Sequence, residues 1–461
     1  MIGEVPFRAH LFSEPQIRRY VQYCQTDKYS FVHIDATSGI MKKITDQGPP
    51  LLYAVLFKDG SDPINNIPLA HAILTDNTVP SISYFLGNLA HAITNYKKKL
   101  ILPSFFVIDF SAALMNSILQ SFNGENIISH LNRCWNVISG KYNKIELRSL
   151  SFIHLCCCHV IHAIARSLSE ARIDKQIRKG LLHIFALILC SNDLKQFYDI
   201  LGSLVNIFGN PNEKNAKQKF EDILSLQMNV DEESATMLKD RKKIFEEAEA
   251  DDQFKTVDEY LRSNSPIIHQ SPFNIEAIQR YPILKDLLNS KSKYNNIANP
   301  MFSRSIIRII YRWWAYLPLW TGLLWNFEER YSNNLKADLS VTYCPIRHSN
   351  AVIESYFRTL KMSILQKKGS NQPGKIIQDL HRSIKIQFKA EKFGITQNAA
   401  GRIRKRKDIT AVEKHKKGTG KKCRAIYTAL IDKIIPKRGK TKLNKKEQND
   451  HKKSDRYIYF F

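Results

Sequence analysis

The sequence predicts an α/β fold: a mixed sheet with flanking helices, interrupted by a large all-helical insertion and followed by a basic flexible tail. Three observations predict it. Apolar runs of strand length, Phe31 to Ile34, Leu51 to Phe57 and Phe105 to Ile108, are interleaved with segments of helical spacing in the first part of the chain. Between about residues 169 and 300 Gly and Pro become sparse and helical periodicity takes over. After about residue 396 large apolar residues thin out and the chain turns basic.

Taken in order, residues 1–27 are a lead-in without a strong period, and residues 28–168 are the first part of the core. Phe31-Val32-His33-Ile34 runs into Asp35, and Gln47-Gly48-Pro49-Pro50 turns the chain into a second strand, Leu51 to Phe57, as in an antiparallel meander. Ile82, Phe85, Leu86, Leu89 and Ile93 fall on one face of a helix over Pro80 to about Lys97. Phe105 to Ile108 is then a strand ending at Asp109, with a helix after it. Leu150 to Cys158, followed by the amphipathic stretch His159 to Leu168, is a further strand-to-helix unit. Residues 169–300 form the helical insertion, with an acidic block from Glu246 to Asp252. Residues 301–395 are the second part of the core, and residues 396–461 the tail. The aromatic cluster Trp313, Trp314, Trp320 and Trp325 reads as core.

The charge narrows the function classes. Of 461 residues 43% are hydrophobic and 24% charged, a globular balance that excludes a wholly disordered or fibrous chain. The formal net charge is +26, which draws polyanions, nucleic acid above all. Residues 401–461 hold 21 Lys or Arg against 6 Asp or Glu, a balance of +15 that leaves +11 for the other residues. Arg404, Lys405 and Arg406 within that tail read either as a nuclear-localisation and phosphate-binding arm or as a solvated end. No apolar segment is long enough to span a bilayer. Eight cysteines, three of them consecutive at Cys156, Cys157 and Cys158, suit reduced thiols rather than a disulfide framework. A soluble nuclear protein is the expectation.

Two strands that each deliver an aspartate from an apolar run bring charge to a place where something positive must offset it. If the strands are neighbours, Asp35 and Asp109 converge on one point, as hard cations such as Mg²⁺ require. Taken singly, each residue reads as a cap for the turn or helix that follows, Asp109 more readily than Asp35. A third carboxylate, Glu354, lies on the helix that begins near Asn350, on the flank of a stripe made by Ile353, Tyr356, Phe357, Leu360 and Ile364. Arg358 and Lys361 share its side and could meet phosphate. A surface Glu354 to Arg358 ion pair, worth about 0.2–0.5 kcal/mol, is the alternative.

These segments together resemble the eukaryotic DDE transposases of the Mutator-like type and, more loosely, the hAT group, whose cores have an RNase H-like fold. His33-Ile34-Asp35-Ala36-Thr37-Ser38-Gly39 looks like the strand with the first catalytic Asp, and Val107-Ile108-Asp109-Phe110-Ser111-Ala112 like the second. Cys156-Cys157-Cys158-His159 is similar to the Cys/His motif that follows the second Asp, and Asn350-Ala351-Val352-Ile353-Glu354 to the Asn-x-x-x-Glu helix that carries the third acid. The resemblance implies a two-metal Mg²⁺ or Mn²⁺ site on Asp35, Asp109 and Glu354, cleavage and strand transfer on DNA, transposon ends and target duplex as partners, and a homodimer or larger assembly. It also implies a structural or substrate-orienting role for Cys156 and His159. A structural zinc is not expected, because only two such ligands are adjacent, although Cys344 and His348 could complete a set. No compact DNA-reading module precedes Asp35, as expected of a truncated or domesticated copy. A catalytically silent DNA-binding protein and a helical interaction scaffold are the rival readings.

Overall fold

The computed structural model describes residues 2–3, 6–26, 30–44, 46–58, 66–142, 150–190, 193–225, 266–289, 297–324, 350–365 and 372–392. The chain starts with two short strands, β1 (Ile2–Gly3) and β2 (Arg8–Leu11), and helix α1 (Glu14–Thr26). Then come β3 (Phe31–Thr37), β4 (Leu51–Lys58), β5 (Asn66–Leu74), α2 (Val79–Lys97), β6 (Phe105–Ile108), α3 (Ala112–Ile118) with a π-helical turn at Leu119–Asn123, α4 (Ile127–Ile138) and β7 (Phe152–Leu155). Every described element after β7 is helical. The helices are α5 (Cys157–Glu170), α6 (Lys175–Cys190), α7 (Leu194–Gly209), α8 (Ala216–Ser225), α9 (Pro266–Gln270), α10 (Pro272–Arg280), α11 (Ile283–Leu288), α12 (Arg304–Trp314), α13 (Leu317–Trp320), α14 (Ala351–Thr359) and α15 (Pro373–Lys392).

The expected mixed sheet is present, with strand order β1-β2-β5-β4-β3-β6-β7. The β3–β6 and β6–β7 pairs are parallel and the remaining pairs antiparallel. Because side chains alternate along a strand, β4 splits its residues between two apolar layers. Tyr53, Val55 and Phe57 join Tyr20, Val21, Phe85 and Leu89 from α1 and α2, while Leu52, Ala54 and Leu56 meet Ile353, Phe357 and Leu360. A strand covered on both faces reads as one unbroken apolar run, as Leu51 to Phe57 does.

The helical region shares the core of the sheet: Leu181, Phe197, Leu204 and Leu284 belong to the same buried cluster as Ile34 and Ile108. Trp313, Trp314 and Trp320 lie fully inside it, as the sequence suggests, and Phe110 packs on Trp313 with ring centroids 5.5 Å apart. The residue after Asp109 is thereby anchored in the aromatic core. The entry to β7 is held by charge: Arg133 donates Nε to Glu125 Oε2 at 3.1 Å, and Nη2 to Glu125 Oε1 at 2.7 Å and to the Ser151 carbonyl at 2.7 Å.

Two segments differ from the expectation. Residues 8–26, read as a lead-in, form β2 and α1, with Ile17, Tyr20 and Val21 buried in the main core. β5 is an additional central strand whose Pro68 falls where the pairing register with β4 shifts, between Val55 and Leu56. A missing N–H is tolerated at such an irregularity. The acidic block 246–252, Trp325 and the tail 396–461 lie outside the described residues, within which no helix is long and apolar enough to cross a membrane.

Candidate active site

Parallel pairing sets Ile34 opposite Ile108, so Asp35 and Asp109, the next residue on each chain, stand side by side at one end of the sheet. β7 continues the pattern, since the Cys156 N–H donates to the Ile108 carbonyl at 2.7 Å. Cys156 is the N-cap residue of α5, and His159 follows one helical turn later. His159 Nδ1 lies 2.8 Å from Asp109 Oδ1. One ligand atom each from Asp109, Cys156 and His159 falls within 4.8 Å of the others. The ends of β6 and β7 and the first turn of α5 therefore meet at one point.

The third carboxylate is brought in by α14, which packs on β3, β4 and β5. Its docking is polar as well as apolar. Asn66 Nδ2 donates to the Val352 carbonyl at 3.1 Å, and His71 Nε2 lies 2.6 Å from the Tyr356 hydroxyl. Asn350, fully buried, gives its side-chain N–H to Asp109 Oδ1 at 2.6 Å and its backbone N–H to Cys156 Sγ at 3.3 Å. The Asn350 carbonyl accepts the Glu354 N–H at 2.9 Å, and its Oδ1 lies 3.4 Å from His33 Nδ1. One asparagine thus starts the helix of the third acid and touches the second.

The electrostatics match this convergence. Burial first, and then the charge of Asp109, hold the Asp35 carboxyl well above the usual range, with Glu354 adding to the effect. Burial, followed by Cys156 and Asp109, pushes Glu354 up to about 7. For His159 burial opposes the charge, yet Asp109 and then Cys156 raise it well above 6.5. Burial also disfavours a thiolate at Cys156, but hydrogen bonding to Cys158 and the charge of His159 bring it well below 9.0. Asp35, Asp109 and Glu354 lie in one another's fields. Acids that disfavour one another's charge at neutral pH make a donor set that fits a hard divalent cation.

No protein-family model and no curated protein matches this chain.

Lys361, at the π-helical turn after α14, is half-buried, and burial lowers its pKa while the charge of Asp35 opposes that. It is near the carboxylates. Arg358 is exposed on the same helix, and Arg404, Lys405, Arg406, Cys344 and His348 lie outside the described residues. Sequence reading passed over Asn350 and His33 as site residues. His33 shares the strand face of Asp35 by the period of two, which was the available signal.

Proposed function

We propose that this chain is a DNA transposase, or derives from one, and that it carries out metal-dependent phosphodiester cleavage and strand transfer in the nucleus as a dimer or larger assembly. The observation that carries the reading is the meeting of Asp35 and Asp109, from adjacent parallel strands, with Glu354 from a helix packed on the same sheet. An antiparallel meander leading into parallel strands, with Asp35 near the end of β3 and Asp109 just after β6, supports the RNase H-like core, with helices α6 to α11 as its insertion.

Asp35, Asp109 and Glu354 would hold Mg²⁺ or Mn²⁺. When bound, such ions activate water or a 3′-hydroxyl and stabilise the leaving oxygen. The chain's own residues arrange the rest. Asn350 fixes the orientation of Asp109, and His159 balances its charge. Burial, Cys156 and Asp109 hold Glu354 up to about 7 without metal, and a bound cation would favour its ionised form. Lys361 is placed to hold a phosphate beside Asp35, and Arg358 adds backbone contact without reading sequence.

A second reading, a catalytically silent protein that only binds DNA, is favoured by one observation: Asp109 Oδ1 already has partners in His159 and Asn350. Nicking or strand transfer on supercoiled plasmid with Mg²⁺ or Mn²⁺ separates the two. Activity lost in both Asp109→Ala and Glu354→Ala supports the transposase reading; salt-sensitive DNA binding with no cleavage in the wild type supports the silent one.

A further inference from the structure

We infer that Asp109, Cys156 and His159 form a binding site for a thiophilic divalent cation of the Zn²⁺ or Co²⁺ class. It shares Asp109 with the carboxylate set but is distinct from it. The sequence offers two neighbouring ligands, Cys156 and His159, too few for such a site. The third comes from the adjacent strand, 47 positions before Cys156, and only the fold supplies it.

Geometry and chemistry both point to a metal of this kind. The oxygen, sulfur and nitrogen donors all fall within 4.8 Å of one another, so small side-chain shifts bring them around one ion with bonds of about 2.0–2.3 Å. A thiolate and an imidazole select Zn²⁺ or Co²⁺ over Mg²⁺, which prefers oxygen throughout. Outer contacts hold the donors in place. The Asn350 backbone N–H meets Cys156 Sγ, its side chain meets Asp109 Oδ1, and the Cys156 N–H is fixed on the Ile108 carbonyl. Contacts of this sort orient ligands in metal sites. The cluster is also accessible from one side: the Asp109 side chain is 29% exposed and His159 10%, whereas Cys156 is fully buried. Three protein donors with one open side are the pattern of zinc sites that keep an exchangeable position.

The inference does not depend on DNA cleavage, and its test does not read activity. The full chain is titrated with Co²⁺ in Mg²⁺-free buffer and followed by absorption. The expected result is visible bands of a low-coordinate ion together with a thiolate-to-cobalt charge-transfer band. Cys156→Ser abolishes that band, His159→Ala weakens binding by at least about tenfold, and Cys157→Ser, whose sulfur faces His154 at 3.6 Å, leaves the band unchanged. A band that survives Cys156→Ser, or Co²⁺ binding without it, overturns the site. Should Cys156→Ser not fold, ¹¹³Cd resonance of the wild type loaded with Cd²⁺ decides: a shift typical of one sulfur ligand supports the site, and one typical of oxygen alone overturns it. A chain inactive on plasmid can still give the cobalt band, so failure here and failure of the transposase reading are separable.

Discussion

Asn350 Nδ2 donates to Asp109 Oδ1 at 2.6 Å across 241 positions of sequence. The bond joins the strand end of the second acid to the helix of the third. Asn350→Ala removes one of the two partners of Asp109 Oδ1 and leaves His159. We expect a loss of about 1–3 kcal/mol in urea denaturation with an unchanged m value, and a larger fall in nicking rate than in DNA affinity. Equal falls in both would reduce Asn350 to a purely structural residue.

Stability of the metal-free protein should depend on pH through Glu354. Its folded pKa of about 7 exceeds the ordinary 4.5, so between these values the native state binds more protons than the unfolded one. Stability therefore falls as pH rises from about 4.5 to about 7, by on the order of 2 kcal/mol from this residue. Asp35 acts in the same direction. Denaturation midpoints measured against pH should show this slope in the wild type and a shallower one in Glu354→Gln.

Glu125 sets the acid limb. Burial works against its charge, but hydrogen bonds from His130 and Arg133 bring it down to about 2 from 4.5. Its contribution is present above 4.5 and is lost as pH falls toward 2. Arg133→Met leaves the half-buried Glu125 with its Asn123 and His130 partners and should cost about 1–3 kcal/mol. Chemical denaturation at neutral pH checks the cost, and its decline on acidification checks the cause.

Asp35→Asn removes the charge that burial and Asp109 oppose. The substituted protein should melt at a higher temperature than the wild type without metal and gain less from a given Mn²⁺ concentration, whereas the wild type gains stability as binding saturates. A Mn²⁺-dependent rise of equal size in both proteins would place the ion elsewhere.

Lys361 and Arg358 should separate in DNA binding. Lys361→Met is expected to reduce the slope of log K against log salt by roughly 0.9, the value of one phosphate contact. Fluorescence anisotropy over a range of salt measures it, and an unchanged slope removes Lys361 from the interface.

Much of this site could be read before the fold was seen. Asp35 and Asp109 end apolar runs that had to be strands, and the stripe Ile353, Phe357 and Leu360 had to face a core, as all three do. That β3 and β6 are parallel neighbours, which brings the two acids together, is left open by the two runs and comes from the fold. Other features depend on tertiary structure. The short polar helix α1 shows only Ile17, Tyr20 and Val21 as a buried face, and β5 carries Pro68, which argues against a strand unless an irregular register is available. Asn350 stands in the Asn-x-x-x-Glu motif, but its partners Asp109, Cys156 and His33 come from three separate strand regions and only the fold brings them to it.

Electron paramagnetic resonance of free Mn²⁺, titrated into wild type, Asp35→Asn and Glu354→Gln, tests most directly whether the three carboxylates form one cation site. If they do, the wild type binds Mn²⁺ saturably and each substitution weakens binding by at least about tenfold. Equal binding by all three proteins, or none by the wild type, would contradict it.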